Sequence, residues 1–123
     1  MHIRQEYLSR SGSEVWETVV EYVKKHGCFR SVTGIPYSAT FVGSCIFLKG
    51  GNKGTKRADE GEYLTGKDFI AAYDAVKTLE VINTAKVKPY IKRQQTPFIG
   101  LLVCAGVIDL EDSGDTGNEL KIF

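Results

Sequence analysis

The chain of 123 residues is 42% hydrophobic and 25% charged, with 16 Lys and Arg against 15 Asp and Glu. That composition excludes a disordered polymer, and a chain of this length buries roughly two thirds of its unfolded surface without metal or disulfide staples. No run approaches the about 18 apolar residues of a membrane span, and the opening MHIRQEYLSRSG lacks the apolar core of a signal peptide, so residues 1–123 read as a single soluble cytoplasmic α+β domain.

Cys28, Cys45 and Cys104 are odd in number and widely spaced, which fits neither a disulfide framework nor a zinc site. Cys45 and Cys104 lie in apolar runs and read as small core residues. Cys28 follows Gly27, and His26 is its one nearby partner for thiolate chemistry.

Residues 1 to 10 show no clear period. Ser11-Gly12-Ser13-Glu14 matches a capping box, in which Ser11 accepts from a free backbone N–H and Glu14 reaches back. Val15, Trp16, Val19, Val20, Tyr22 and Val23 then recur at helical spacing. Lys24, Lys25 and His26 suit the negative end of the helix dipole, and Gly27 suits the position just past the helix.

Phe29 to Lys49 reads as three short strands joined by turns at Gly34 and Gly43. Tyr37, Ala39 and Phe41 alternate with Ser38 and Thr40, the period of a half-buried strand. The unbroken run Cys45 to Leu48 predicts a central strand covered on both faces. Lys49 to Arg57, KGGNKGTKR, is glycine-rich and basic and reads as a mobile surface loop; it is out of register with a phosphate-cradling P-loop.

Gly61 to Leu64 is expected to return to the sheet, and Thr65 to cap a second amphipathic helix running through about Glu80, with Phe69, Ile70, Tyr73, Val76 and Leu79 on one face. Asn83 suits a further cap, Pro89 to Gln95 a short helix, and Thr96-Pro97 the start of a helix that is apolar all round and ends at Gly106. Val107 to Leu110 and Leu120 to Phe123 flank the acidic, turn-rich DSGDTGN and predict a closing β-hairpin. Leu120 stands where a calcium loop starting at Asp109 needs its bidentate Glu, so no metal is expected. The fold class is therefore an antiparallel meander covered by amphipathic helices, with a helical carboxyl-terminal section ending in a hairpin.

RQQTPFIGLLVCAGVI followed by a hairpin resembles the end of a winged helix-turn-helix, over the carboxyl-terminal third of the chain. The resemblance implies a recognition helix after Pro97 and a wing beyond it. A recognition helix shows polar side chains to base edges, whereas this one is apolar and the wing acidic, which leaves Gln94, Gln95 and Thr96 at the turn to reach a nucleic acid.

The directional clue to function is charge. No acidic residue occurs from Ser44 through Ala58 or from Val81 through Ile108. These stretches carry Lys53, Lys56 and Arg57, and Lys86, Lys88, Lys92 and Arg93. The leading reading is a non-catalytic binding module in which these cations neutralise nucleic-acid phosphates and Tyr90 stacks on a base, although the net charge of +1 falls short of the usual basic signature. One alternative is a small-ligand protein or enzyme with a pocket between sheet and helices, lined by Tyr37, Tyr63, Tyr73 and Asp68. Its inventory is thin, because His2 and His26 sit in no nucleophile or metal motif and no cofactor is implied. Another is a self-associating homodimer that covers the apolar helix after Pro97 and the terminal strand.

Overall fold

The computed structural model describes residues 1–110 apart from Asn52, Glu80 and Lys92. His2–Ile3 forms a two-residue strand, β1, and Gln5–Leu8 one turn of helix, α1. The next helix, α2, spans Gly12–His26 and is bounded as its sequence dictates. Ser11 Oγ accepts from the Glu14 N–H while Glu14 Oε1 accepts from the Ser11 N–H at 3.1 Å, and Gly27 adopts φ 70° at the far end.

Cys28–Arg30, Pro36–Val42 and Cys45–Gly50 are strands β2, β3 and β4 of the expected meander. The chain then makes a single helical turn, α3, at Lys56–Asp59 and returns as β5, Glu62–Thr65. The four strands pair antiparallel in the order β2-β3-β4-β5. Tyr37 stands opposite Phe29, Ala39 opposite Leu48, and Ile46 opposite both Phe41 and Leu64, so strand alternation collects these side chains on one face.

Helices α4, Gly66–Val76, and α6, Gln95–Cys104, join α2 on that face. Between them lie α5, Thr84–Val87, and a 3₁₀ turn at Lys88–Tyr90. Val15, Val19 and Val23 of α2, Phe69, Tyr73 and Val76 of α4, and Phe98, Ile99, Leu101 and Leu102 of α6 are buried in one cluster with Phe29, Tyr37, Ala39, Ile46, Leu48 and Leu64. Phe69 is its hub, with ring centroids 5.1 Å from Trp16 and 5.2 Å from Phe98. The class is α+β, with the helices on one side of an antiparallel sheet.

Four local expectations are corrected. Lys56 and Arg57 lie on α3 and not in a loop, because Thr55 Oγ1 accepts from the Ala58 N–H at 3.2 Å and starts a turn. Helix α4 stops at Val76 instead of near Glu80; Thr78 Oγ1 donates to Ala75 O at 2.7 Å and the amides of Thr78 and Leu79 bond three residues back, closing the last turn. Pro89 to Gln95 is not one helix, since the 3₁₀ turn ends at Ile91 (φ −143°) and Arg93 sits at φ 59°. Helix α6 starts at Gln95, two residues before Pro97, a place proline tolerates because the first amides of a helix have no partner within it.

Ile108–Asp109, strand β6, pairs with β1 through Ile3 and Ile108. The hairpin's return arm, Leu120 to Phe123, and the acidic turn before it lie outside the described residues. Among the described residues no helix is long and apolar enough to cross a membrane.

Candidate nucleic-acid interface

Two basic stretches far apart in sequence meet at Arg57. From α3 its guanidinium donates through Nε to the Glu62 carboxylate on β5 and through Nη2 to the main-chain carbonyl of Arg93. Its side chain is only 18% exposed, so Arg57 holds the assembly together and its charge is matched within the fold. Arg57, expected to touch phosphates, has these two partners within the fold. Arg93 presents that carbonyl from the left-handed region, an uncommon place for a side-chain-bearing residue.

Lys53, Lys56, Lys86, Lys88, Tyr90 and Arg93 are exposed, as a phosphate-contacting or stacking role requires. Lys92 lies outside the described residues. Asn83 Oδ1 accepts from the Lys86 N–H at 2.9 Å, which fixes the start of α5. Gln94 Nε2 donates to Tyr63 O at 3.0 Å, so the basic segment is tied to the edge strand β5 as well as to α3.

Between the β2–β3 turn and the starts of α3, α5 and α6 lies a cleft of about 280 Å³, lined by the hydroxyl-bearing Ser31, Thr33, Tyr37, Thr55, Thr84 and Thr96 and by Arg57. Ser31 Oγ accepts from the Ile35 N–H at 3.0 Å and shares a hydrogen bond with Thr33 Oγ1 at 3.1 Å, which sets the turn that forms one wall. Among the described residues, no carboxylate lines the cleft. Hydroxyls and a guanidinium suit the oxygens of a phosphate or sugar. Thr84 escaped the reading of the sequence because it is neutral, and Glu62 because nothing in the sequence marks it as the partner of Arg57, whereas Thr96 was already expected to reach a ligand.

The residues expected to line an enzyme pocket are not brought together. Tyr73 and Tyr37 are core residues, Tyr63 is exposed on the opposite face of the sheet, and Asp68 lies beside Pro89, Tyr90 and Gln94. The Tyr73 hydroxyl donates to Tyr7 O, and burial, with help from Asp74 and Tyr7, pushes its pKa up to about 12. His26 packs on the Tyr22 ring at 4.3 Å. Burial pushes Tyr22 up, with Cys104 and Cys28 adding to the effect.

Cys104 Sγ donates to Arg30 O at 3.5 Å. Cys104 is half-buried and packs against the core cluster, as expected; Cys45 is also half-buried, but strand alternation turns it away from the buried face, which corrects its core reading. Among the described residues, no cluster of three His, Cys, Asp or Glu could hold a metal ion. Pro97 to Leu102 is buried within one chain, so that part of α6 presents no surface for a second copy to cover.

No family model matches the chain, and neither a curated protein nor a solved structure shows significant similarity to it.

Proposed function

We propose that this protein is a non-catalytic binding module that contacts nucleic-acid phosphates through Lys53, Lys56, Lys86, Lys88 and Arg93. The observation that supports the reading is the hydrogen bond from Arg57 to the Arg93 carbonyl, which brings the two acid-free stretches of the sequence into contact. Each lysine or arginine that meets a phosphate releases a condensed counterion, so affinity falls steeply with salt. Arg57 supports the surface without spending its own charge on the ligand.

Fluorescence anisotropy of short labelled DNA and RNA tests this, with wild type beside a charge-reversal variant of Lys86, Lys88 and Arg93. Binding at low salt that the variant loses while remaining folded is the expected result. Absence of binding at low salt sinks the proposal.

The hydroxyl-lined cleft favours a second reading, a pocket for a small phosphorylated ligand held by the surrounding serine and threonine hydroxyls. Thermal-shift titration with inorganic phosphate and a nucleoside monophosphate separates the two. Stabilisation by these, without oligonucleotide binding, would favour the small-ligand reading.

A further inference from the structure

Among the described residues, helices cover one face of the sheet. Register places Ser38, Thr40, Val42, Cys45, Phe47, Lys49, Tyr63 and Thr65 on the other, and Cys28 and Arg30 of β2 continue it. On this outward face Phe47 of β4 stands directly opposite Tyr63 of β5, with ring centroids 5.0 Å apart and planes tilted by 57°. Tyr63 is 56% exposed, an uncommon state for a large aromatic side chain. The charges on this face are Arg30 and Lys49, both exposed; no carboxylate points outward from β2, β3, β4 or β5, since Glu62 lies in the alternation of the buried face and pairs with Arg57. The acidic residues nearest in sequence are Asp59 and Glu60, on α3 and the turn after it, and Asp68, whose N–H donates to the Thr65 hydroxyl at the start of α4.

Gly61 seats that turn against the Phe47 ring. Its φ is 81°, and a Cβ there would collide with Phe47 Cζ, so the close approach fixes the ring that Tyr63 leans on. Gln94 hydrogen-bonds the main chain of Tyr63, so the segment that carries Lys86, Lys88 and Arg93 meets the edge of this sheet at β5. An exposed tyrosine leaning on a half-buried phenylalanine, flanked by hydroxyls and cations, supplies the components of a surface on which unpaired bases stack while the backbone follows positive charge.

We infer that the outward face of the sheet is a base-stacking platform for single-stranded nucleic acid, with Phe47 and Tyr63 as the stacking pair and Lys49 and Arg30 meeting phosphates. This rests on the nucleic-acid reading above and specifies it. A duplex buries its base faces and gains nothing from the pair, so the platform selects single strands.

The test is anisotropy titration of labelled oligo(dT), oligo(rU) and a duplex of equal length, using wild type, Tyr63→Phe, Tyr63→Leu and Phe47→Leu. Leucine keeps the cross-strand apolar contact but removes the ring. Single strands should bind more tightly than the duplex, Tyr63→Phe should bind as wild type, and each leucine variant should lose at least about fivefold in single-strand affinity, the low end of base–aromatic stacking.

A second arm needs no variant. Photo-crosslinking of wild type to oligo(dT) carrying 5-bromouracil should label peptides containing Phe47 or Tyr63. Single-strand binding that both leucine variants retain, with crosslinks confined to residues 84–95, overturns the platform and leaves the basic-surface reading standing. No binding of any oligonucleotide at low salt removes both.

Discussion

Replacing Arg57 with glutamine removes the contact that joins α3 to β5 and to the main chain of Arg93. A hydrogen bond to a charged group contributes about 1.5–3 kcal/mol, whereas a fully exposed ion pair contributes only about 0–1 kcal/mol. Side-chain exposures of 18% for Arg57 and 31% for Glu62 place this site between the two cases, and a total loss of about 2 kcal/mol follows. At about 2.1 cal/mol/K per residue, the 123-residue chain has an unfolding entropy of roughly 260 cal/mol/K, so Tm should fall by about 8 °C. Thermal melts followed by far-UV circular dichroism read this directly, with Glu62→Gln and the double variant completing a cycle. The double variant should be little worse than Arg57→Gln alone, because that variant has already lost the contact to Glu62, while Glu62→Gln keeps the bond to Arg93 and should cost less. A fall in Tm below about 2 °C for Arg57→Gln would refute the view that Arg57 holds the two basic stretches together.

Three further outcomes follow from the packing. Phe69→Ala, at the hub of three helices, should cost about 3–5 kcal/mol in urea unfolding, a large share of a total near about 5–15 kcal/mol. Gly61→Ala forces a left-handed alanine, costing about 1–2 kcal/mol before Phe47 is displaced, so it should lower stability and weaken single-strand binding together. Alkali acts through Tyr73, whose pKa rises from 10.0 in the unfolded chain to about 12 in the fold, chiefly by burial. The unfolded state therefore loses its proton first. The contribution is intact below pH 10 and disappears as pH climbs towards about 12, and Tyr73→Phe should flatten that part of the pH profile of urea stability.

The features legible in the sequence are those whose causes are local. Ser11 and Glu14 are three residues apart and satisfy each other, and the meander announces itself through alternation around Tyr37, Ala39 and Phe41 with glycine at its turns. The uniform hydrophobicity of α6 anticipated the burial of Pro97 to Leu102.

What escaped depends on partners distant in the chain or on a face left open. Arg57 looks like any surface cation until Arg93, 36 residues away, accepts its hydrogen bond. The run Cys45 to Leu48 reads as a strand covered on both sides, yet among the described residues helices line one face of the sheet, and Phe47 is left beside an exposed Tyr63. The early end of α4 turned on the Thr78 hydroxyl, which competes with the helix for backbone partners.

The salt dependence of oligonucleotide affinity bears most directly on the proposed function. Anisotropy titrations of oligo(dT) across a range of salt concentrations should give a linear fall of log K with log salt, at about 0.7 per phosphate contacted. Neutralising Lys86, Lys88 and Arg93 together should flatten that slope by about 2. A wild-type slope near zero, or a slope the triple variant leaves unchanged, would contradict the assignment of this surface to nucleic acid.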